Sequence, residues 1–134
     1  MNVIFHITPR LSWDAAKAQG RYAGDTLETE GFIHCSREEQ VLSVANRIFK
    51  SRTGLVLLSI NRDAVKARVK DENLEGGHEL FPHIYGPLNT DAVLEAIDFP
   101  PRPDGTFDLP ESQKGRQNPG KGEARSIDNR ASDG

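Results

Sequence analysis

Three of the four histidines, His6, His34 and His83, fall in segments whose patterning predicts β-strands or strand ends, where a polar side chain needs either a partner or a cleft. Each alone reads as a core histidine satisfied by a backbone group, whereas the three together point to one shared cleft. His34 lies just before Ser36, which in Ser36-Arg37-Glu38-Glu39 has the spacing of a capping box, so an imidazole, a hydroxyl and a positive helix end would meet there. That combination suits an anion such as a pyrophosphate. Glu72 and Glu79 flank a Gly-Gly loop ahead of Pro82-His83, and a carboxylate at Glu72 could accept hydrogen bonds from a ribose diol or stabilise positive charge. Glu79 reads as an ordinary exposed loop glutamate. Tyr85, two residues past His83, would face the same side of an extended strand.

Two other chemistries fit less well. The single cysteine, Cys35, would point away from His34, because neighbours in a strand face opposite sides, so a Cys-His nucleophilic pair is disfavoured and a core thiol expected. His6, His34, His83 and a carboxylate are acceptable metal ligands by type, but no spacing among them is diagnostic, and no metal is assigned.

The elements that must position these residues can be read from periodicity. Asn2 to Thr8 alternates, with Val3, Phe5 and Ile7 on one face and Ile4, His6 and Thr8 on the other, the pattern of a strand that Pro9 should break. A short helix capped by Ser12 and ending at Gly20 follows, then a polar loop with Tyr22 and Gly24, then a strand over Gly31 to Cys35. Val41, Val44, Ala45 and Ile48 recur at helical spacing and predict an amphipathic helix after Ser36. Gly54 to Ile60 is a continuous apolar run of strand length, expected to be central and covered on both faces. A helical turn near Asn61 to Lys66 and strands over Arg68 to Asp71, Leu80 to Gly86 and Ala92 to Phe99 complete the body. This order argues for an α+β fold.

With 134 residues, one domain spanning 1–111 is expected. No apolar run approaches the roughly 18 residues of a membrane span, and Met1 leads directly into a strand pattern with no secretory signal, so a cytoplasmic protein is the expectation. The net charge of -3 divides into +2 for residues 112–134 and -5 for the remainder. The tail has too few apolar residues to offset the entropy of ordering it and is expected to be disordered. An acidic body offers no footprint for a phosphate backbone, so no nucleic-acid partner is expected, while the sequence leaves a protein partner open.

Four segments resemble the small bacterial family called domain of unknown function 952: Phe5-His6-Ile7; Trp13 with Ala16, Gly20 and Tyr22; Glu30 to Ser36 with Gln40, Val44, Ala45 and Asn46; and Phe81-Pro82-His83-Ile84-Tyr85-Gly86-Pro87-Leu88. Asp104-Gly105-Thr106-Phe107 also fits. The resemblance implies a compact split-sheet fold similar to the ADP-ribosyltransferase core, with two main helices and a central cleft for NAD. By position, His6 looks like the first-strand residue beside the dinucleotide, His34 and Ser36 occupy the second-strand region, and the late position falls at Glu72 or His83. The resemblance thus suggests His6, His34, Glu72 and His83 for chemistry, and His6, Tyr22, His34, Ser36, His83 and Tyr85 for holding NAD or a related ADP-ribose-containing nucleotide. ADP-ribosyl transfer or NAD glycohydrolysis is the activity implied. A non-catalytic ligand-binding or partner-interaction module is the alternative.

Overall fold

A computed structural model describes residues 2–24, 26–73 and 77–110. The tail over 112–134 lies outside the described residues, as does part of the Gly-Gly loop. Among the described residues, eight strands and three α-helices follow one another as β1 (Val3–Pro9), α1 (Arg10–Gln19), β2 (Arg21–Tyr22), α2 (Thr26–Glu30), β3 (Ile33–His34), α3 (Glu38–Ile48), β4 (Leu55–Asn61), β5 (Arg68–Glu72), β6 (Phe81–Tyr85), β7 (Leu88–Asn89) and β8 (Val93–Asp98). Single 3-10 turns over Arg62–Ala64 and Thr90–Ala92 precede β5 and β8. The fold is α+β, and its strand pairings are antiparallel.

The sheets are ordered β1-β4-β8, β2-β7 and β3-β6-β5. The continuous apolar run makes β4 the central strand of the first sheet, with Leu55 to Ile60 all buried. On β1 the alternation separates two cores. Val3, Phe5 and Ile7 pack with Val41 and Ala45 of α3 and with Leu55, Leu57, Phe99 and Phe107. Ile4 faces the opposite side, in a cluster with Trp13 and Ala16 of α1, Ile33 of β3 and Ile84 of β6. The β1 strand is therefore covered on both faces, and the segment that follows β3 joins it through a bridge between Phe5 and Ser36.

Several local expectations are corrected. Pro9 does not break β1 but is its last residue, opposite Leu55, which a proline tolerates because β1 is an edge strand. Pro9 is also the N-cap of α1, which begins two residues before Ser12. Gly20 closes α1 at φ 81, a left-handed conformation for which glycine carries no Cβ penalty, and its N–H donates to the Ala16 carbonyl at 2.9 Å. The polar loop after it contains β2 and a third, five-residue helix, α2, beside the two main ones.

Ser36 is not the cap of α3. Its backbone exchanges two 2.8 Å hydrogen bonds with Phe5 and stays extended, so the N-cap moves to Arg37. Gln40 Oε1, not Glu39, then accepts from the Arg37 N–H at 2.9 Å.

Candidate functional site

Beside β1, α3 and the β3-β6-β5 sheet runs a cavity of about 710 Å³. His6, His34 and His83 all line it, with Tyr22, Ser36 and Glu72. The β1 alternation aims His6 to the same face as Thr8, and the register pairs His34 with His83 across β3 and β6. Glu72 ends β5 opposite Phe81, diagonal to His83. Strand pairing therefore brings these residues together from positions up to 77 apart in the chain. Tyr85 is not among the residues that line the cavity; its hydroxyl donates to Glu72, which does line it.

Glu72 Oε1 accepts from the Tyr85 hydroxyl at 2.5 Å and from His83 Nδ1 at 3.0 Å, while Oε2 lies 3.4 Å from Lys70 Nζ. The Tyr85 hydrogen bond, then that of His83, holds the Glu72 carboxyl down to about 2 against an ordinary 4.5. In return, the carboxylate raises the Tyr85 phenol above its usual range. Glu72 is thus a fixed negative charge at neutral pH, with its side chain 16% exposed. Because an ionised carboxylate can only accept, Nδ1 of His83 must carry the proton. In neutral His83, Nε2 is then a lone-pair acceptor, and it has no hydrogen-bond partner among the described residues. Phe32 stacks on the His83 ring at 4.3 Å and meets His34 edge-on at 4.8 Å.

A second hydrogen-bonded chain starts at His6. Its Nδ1 lies 2.5 Å from the His34 carbonyl, which only accepts, so this nitrogen is also protonated. Nε2 is 2.8 Å from the Tyr22 hydroxyl, which is 2.8 Å from Thr8 Oγ1. In a neutral His6, Nε2 accepts a hydrogen bond from the Tyr22 hydroxyl, whereas in an imidazolium it donates to Tyr22, which can then donate to Thr8. His34 Nε2 lies 3.0 Å from Glu30 Oε1.

Thr8, Glu30, Phe32 and two arginines, Arg47 and Arg52, also line the cavity and are not among the site residues expected from sequence. Thr8 was legible through its shared strand face with His6. The arginines carried no local signal. Cys35 is buried, and burial raises its thiol well above the reactive range, in line with a core role. Glu79 is exposed and accepts from Gln40 Nε2 at 3.0 Å. Among the described residues no group of three or more His, Cys, Asp or Glu side chains could hold a metal ion, and no helix is long and apolar enough to cross a membrane.

The sequence model of the family described as protein of unknown function (DUF952) matches residues 7–96. The chain belongs to the DUF952 family. This DUF952 chain is similar to protein CC0527 from Caulobacter crescentus, whose X-ray crystal structure has 38% sequence identity and a TM-score of 0.74 over 81% of this chain and 95% of that one. The solution NMR structure of CC0527 gives a TM-score of 0.72 at the same identity, covering 81% of this chain and 94% of that one. No curated protein matches the chain.

The lowered pKa of Glu72 has a consequence for the stability of this DUF952 fold. Between pH 4.5 and 2 the unfolded chain takes up a proton at Glu72 that the folded chain refuses, so folding stability from this group is complete above about 4.5 and is lost as pH falls toward 2. Thermal unfolding from pH 7 to 2 is expected to show Glu72→Gln losing less stability than the parent across that window. Parallel curves would show that the carboxylate is not held by Tyr85 and His83.

Proposed function

We propose that the cleft binds NAD or a related ADP-ribose-containing nucleotide and cleaves its bond to nicotinamide, by transfer or hydrolysis. The observation that carries this reading is Glu72, kept ionised by Tyr85 and His83 at the wall of a cavity of about 710 Å³. The cavity falls within the roughly 300–1,000 Å³ of small-molecule sites. As nicotinamide leaves with the electrons of the C–N bond, the ribose carbon develops positive charge, and a preoriented carboxylate favours that state over the ground state. Water or an acceptor hydroxyl then bonds to that carbon and gives up its proton. His83 Nε2, the acceptor nitrogen of an imidazole whose other side is fixed by Glu72, is the base best arranged to receive it.

Titration of the purified chain with NAD, ADP-ribose and AMP, with nicotinamide release followed in parallel, tests this directly. ADP-ribose is expected to bind more tightly than AMP, and His34→Ala and His83→Ala, checked to be folded, to weaken it by about 1–3 kcal/mol each. Binding with no release would favour the non-catalytic module. No binding at millimolar nucleotide would refute the reading.

A further inference from the structure

We propose that Arg47 and Arg52 form the anion-binding end of the cleft and hold the phosphate groups of its ligand, an assignment that rests on the nucleotide reading above. Both side chains line the same cavity as the three histidines and are exposed. The guanidiniums of Arg10, Arg37 and Arg62 are paired with Asp98, Glu39 and Asp71, but among the described residues neither Arg47 nor Arg52 has a carboxylate partner. Arg52 instead lies over the Phe49 ring at 5.2 Å. The chain as a whole is acidic, so two unpaired guanidiniums at one cavity wall are a local reversal of its charge. Such groups bind phosphate oxygens through several charge-assisted hydrogen bonds.

The competing anion site, the start of α3, is already occupied by its own chain. Gln40 takes the Arg37 N–H, the Ser36 N–H goes to Phe5, and Glu38 and Glu39 place two carboxylates in the first turn. An incoming phosphate would meet that negative charge. The far end of α3 is an unfavourable helix pole for an anion, but its half charge is outweighed by two full cations. α3 has 11 residues and is about 16 Å long, so a ligand held at both of its ends would be extended. A dinucleotide meets that demand better than a free base or nucleoside.

Calorimetric titration of the full chain, Arg47→Gln, Arg52→Gln and the double variant with ADP-ribose, adenosine and inorganic pyrophosphate tests the assignment. Each single change is expected to weaken ADP-ribose about 10-fold, the double change about 100-fold, with adenosine affinity unchanged and pyrophosphate binding lost in the double variant. Circular dichroism checks that the variants stay folded, which their exposed positions favour. Equal ADP-ribose affinity in the parent and the double variant would overturn the arginine site and leave the nucleotide reading standing. Pyrophosphate held through the arginines with no ADP-ribose binding would sustain the site and refute the nucleotide. Failure to bind either would overturn both.

Discussion

Phe5→Ala is expected to destabilise the protein by about 3–5 kcal/mol, a large part of the roughly 5–15 kcal/mol that holds a domain of this kind together. Phe5 is fully buried on β1, packed in the cluster that contains Val41 and Ala45 of α3, and Leu57 of β4. Its backbone also bonds to Ser36 on both sides, which ties the first sheet to the segment leading into α3. The neighbouring strand cannot collapse into the vacated volume, because β4 is held in register along all of β1 from Asn61 to Leu55. The lost methylene and ring contacts are therefore joined by an unfilled cavity. Urea unfolding measures the change as a lower midpoint at unchanged slope. Leu11→Ala is the contrast: Leu11 is 82% exposed on α1, and its truncation should stay within about 0.5 kcal/mol. A Phe5→Ala loss below about 1 kcal/mol would mean that α3 settles onto β1 without strain.

Sequence patterning reached the elements that bury a whole face. The apolar run of β4 and the helical spacing of Val41 and Ala45 are signals of burial itself, so they survive without knowledge of the partner. By contrast, α2 has no buried residue; Leu27 packs partly buried against the core and Thr26 Oγ1 donates to the Phe32 carbonyl at 2.7 Å, contacts with no periodic trace. The two-residue strands β2 and β7 exist because Tyr22 finds Leu88 across 66 positions. The start of α3 shows the same limit. Ser36 and Arg37 each have a suitable partner three residues later, and pairing of Ser36 with Phe5 decides between them.

At the site, residue types were legible and couplings were not. His6, His34 and His83 stood out because imidazoles in strands require a reason. That Tyr85 serves Glu72 follows from the β5-β6 register, in which Lys70 faces His83 and Arg68 faces Tyr85, leaving Glu72 diagonal to His83 on the shared face. Local sequence does not set that register, because the loop between the strands can in principle close at several lengths. Arg47 and Arg52 were hidden for another reason: exposed arginines at the end of an amphipathic helix look like solvated ones until the cavity beside them is known.

Glu72→Gln is expected to lower nicotinamide release by about 10²–10³-fold, the effect of removing one preoriented charge partner of a transition state. The change keeps the shape and one acceptor oxygen, so the hydrogen bonds from Tyr85 and His83 can persist while the negative charge is gone. ADP-ribose carries no developing positive charge at the ribose carbon, so its affinity should fall by much less than the rate. That split separates stabilisation of the transition state from plain binding. Tyr85→Phe tests the positioning role from behind. It removes the hydrogen bond that contributes most to holding the carboxyl down, so the Glu72 acidity should move from about 2 back toward 4.5. The acid limb of the pH-rate profile should shift upward with it, while the rate near neutral pH, where the carboxylate is ionised in either form, falls only about 10-fold or less from looser orientation. Equal losses of rate and ADP-ribose affinity in Glu72→Gln would reduce Glu72 to a binding group. An unmoved acid limb in Tyr85→Phe would mean that His83 alone keeps the carboxylate charged.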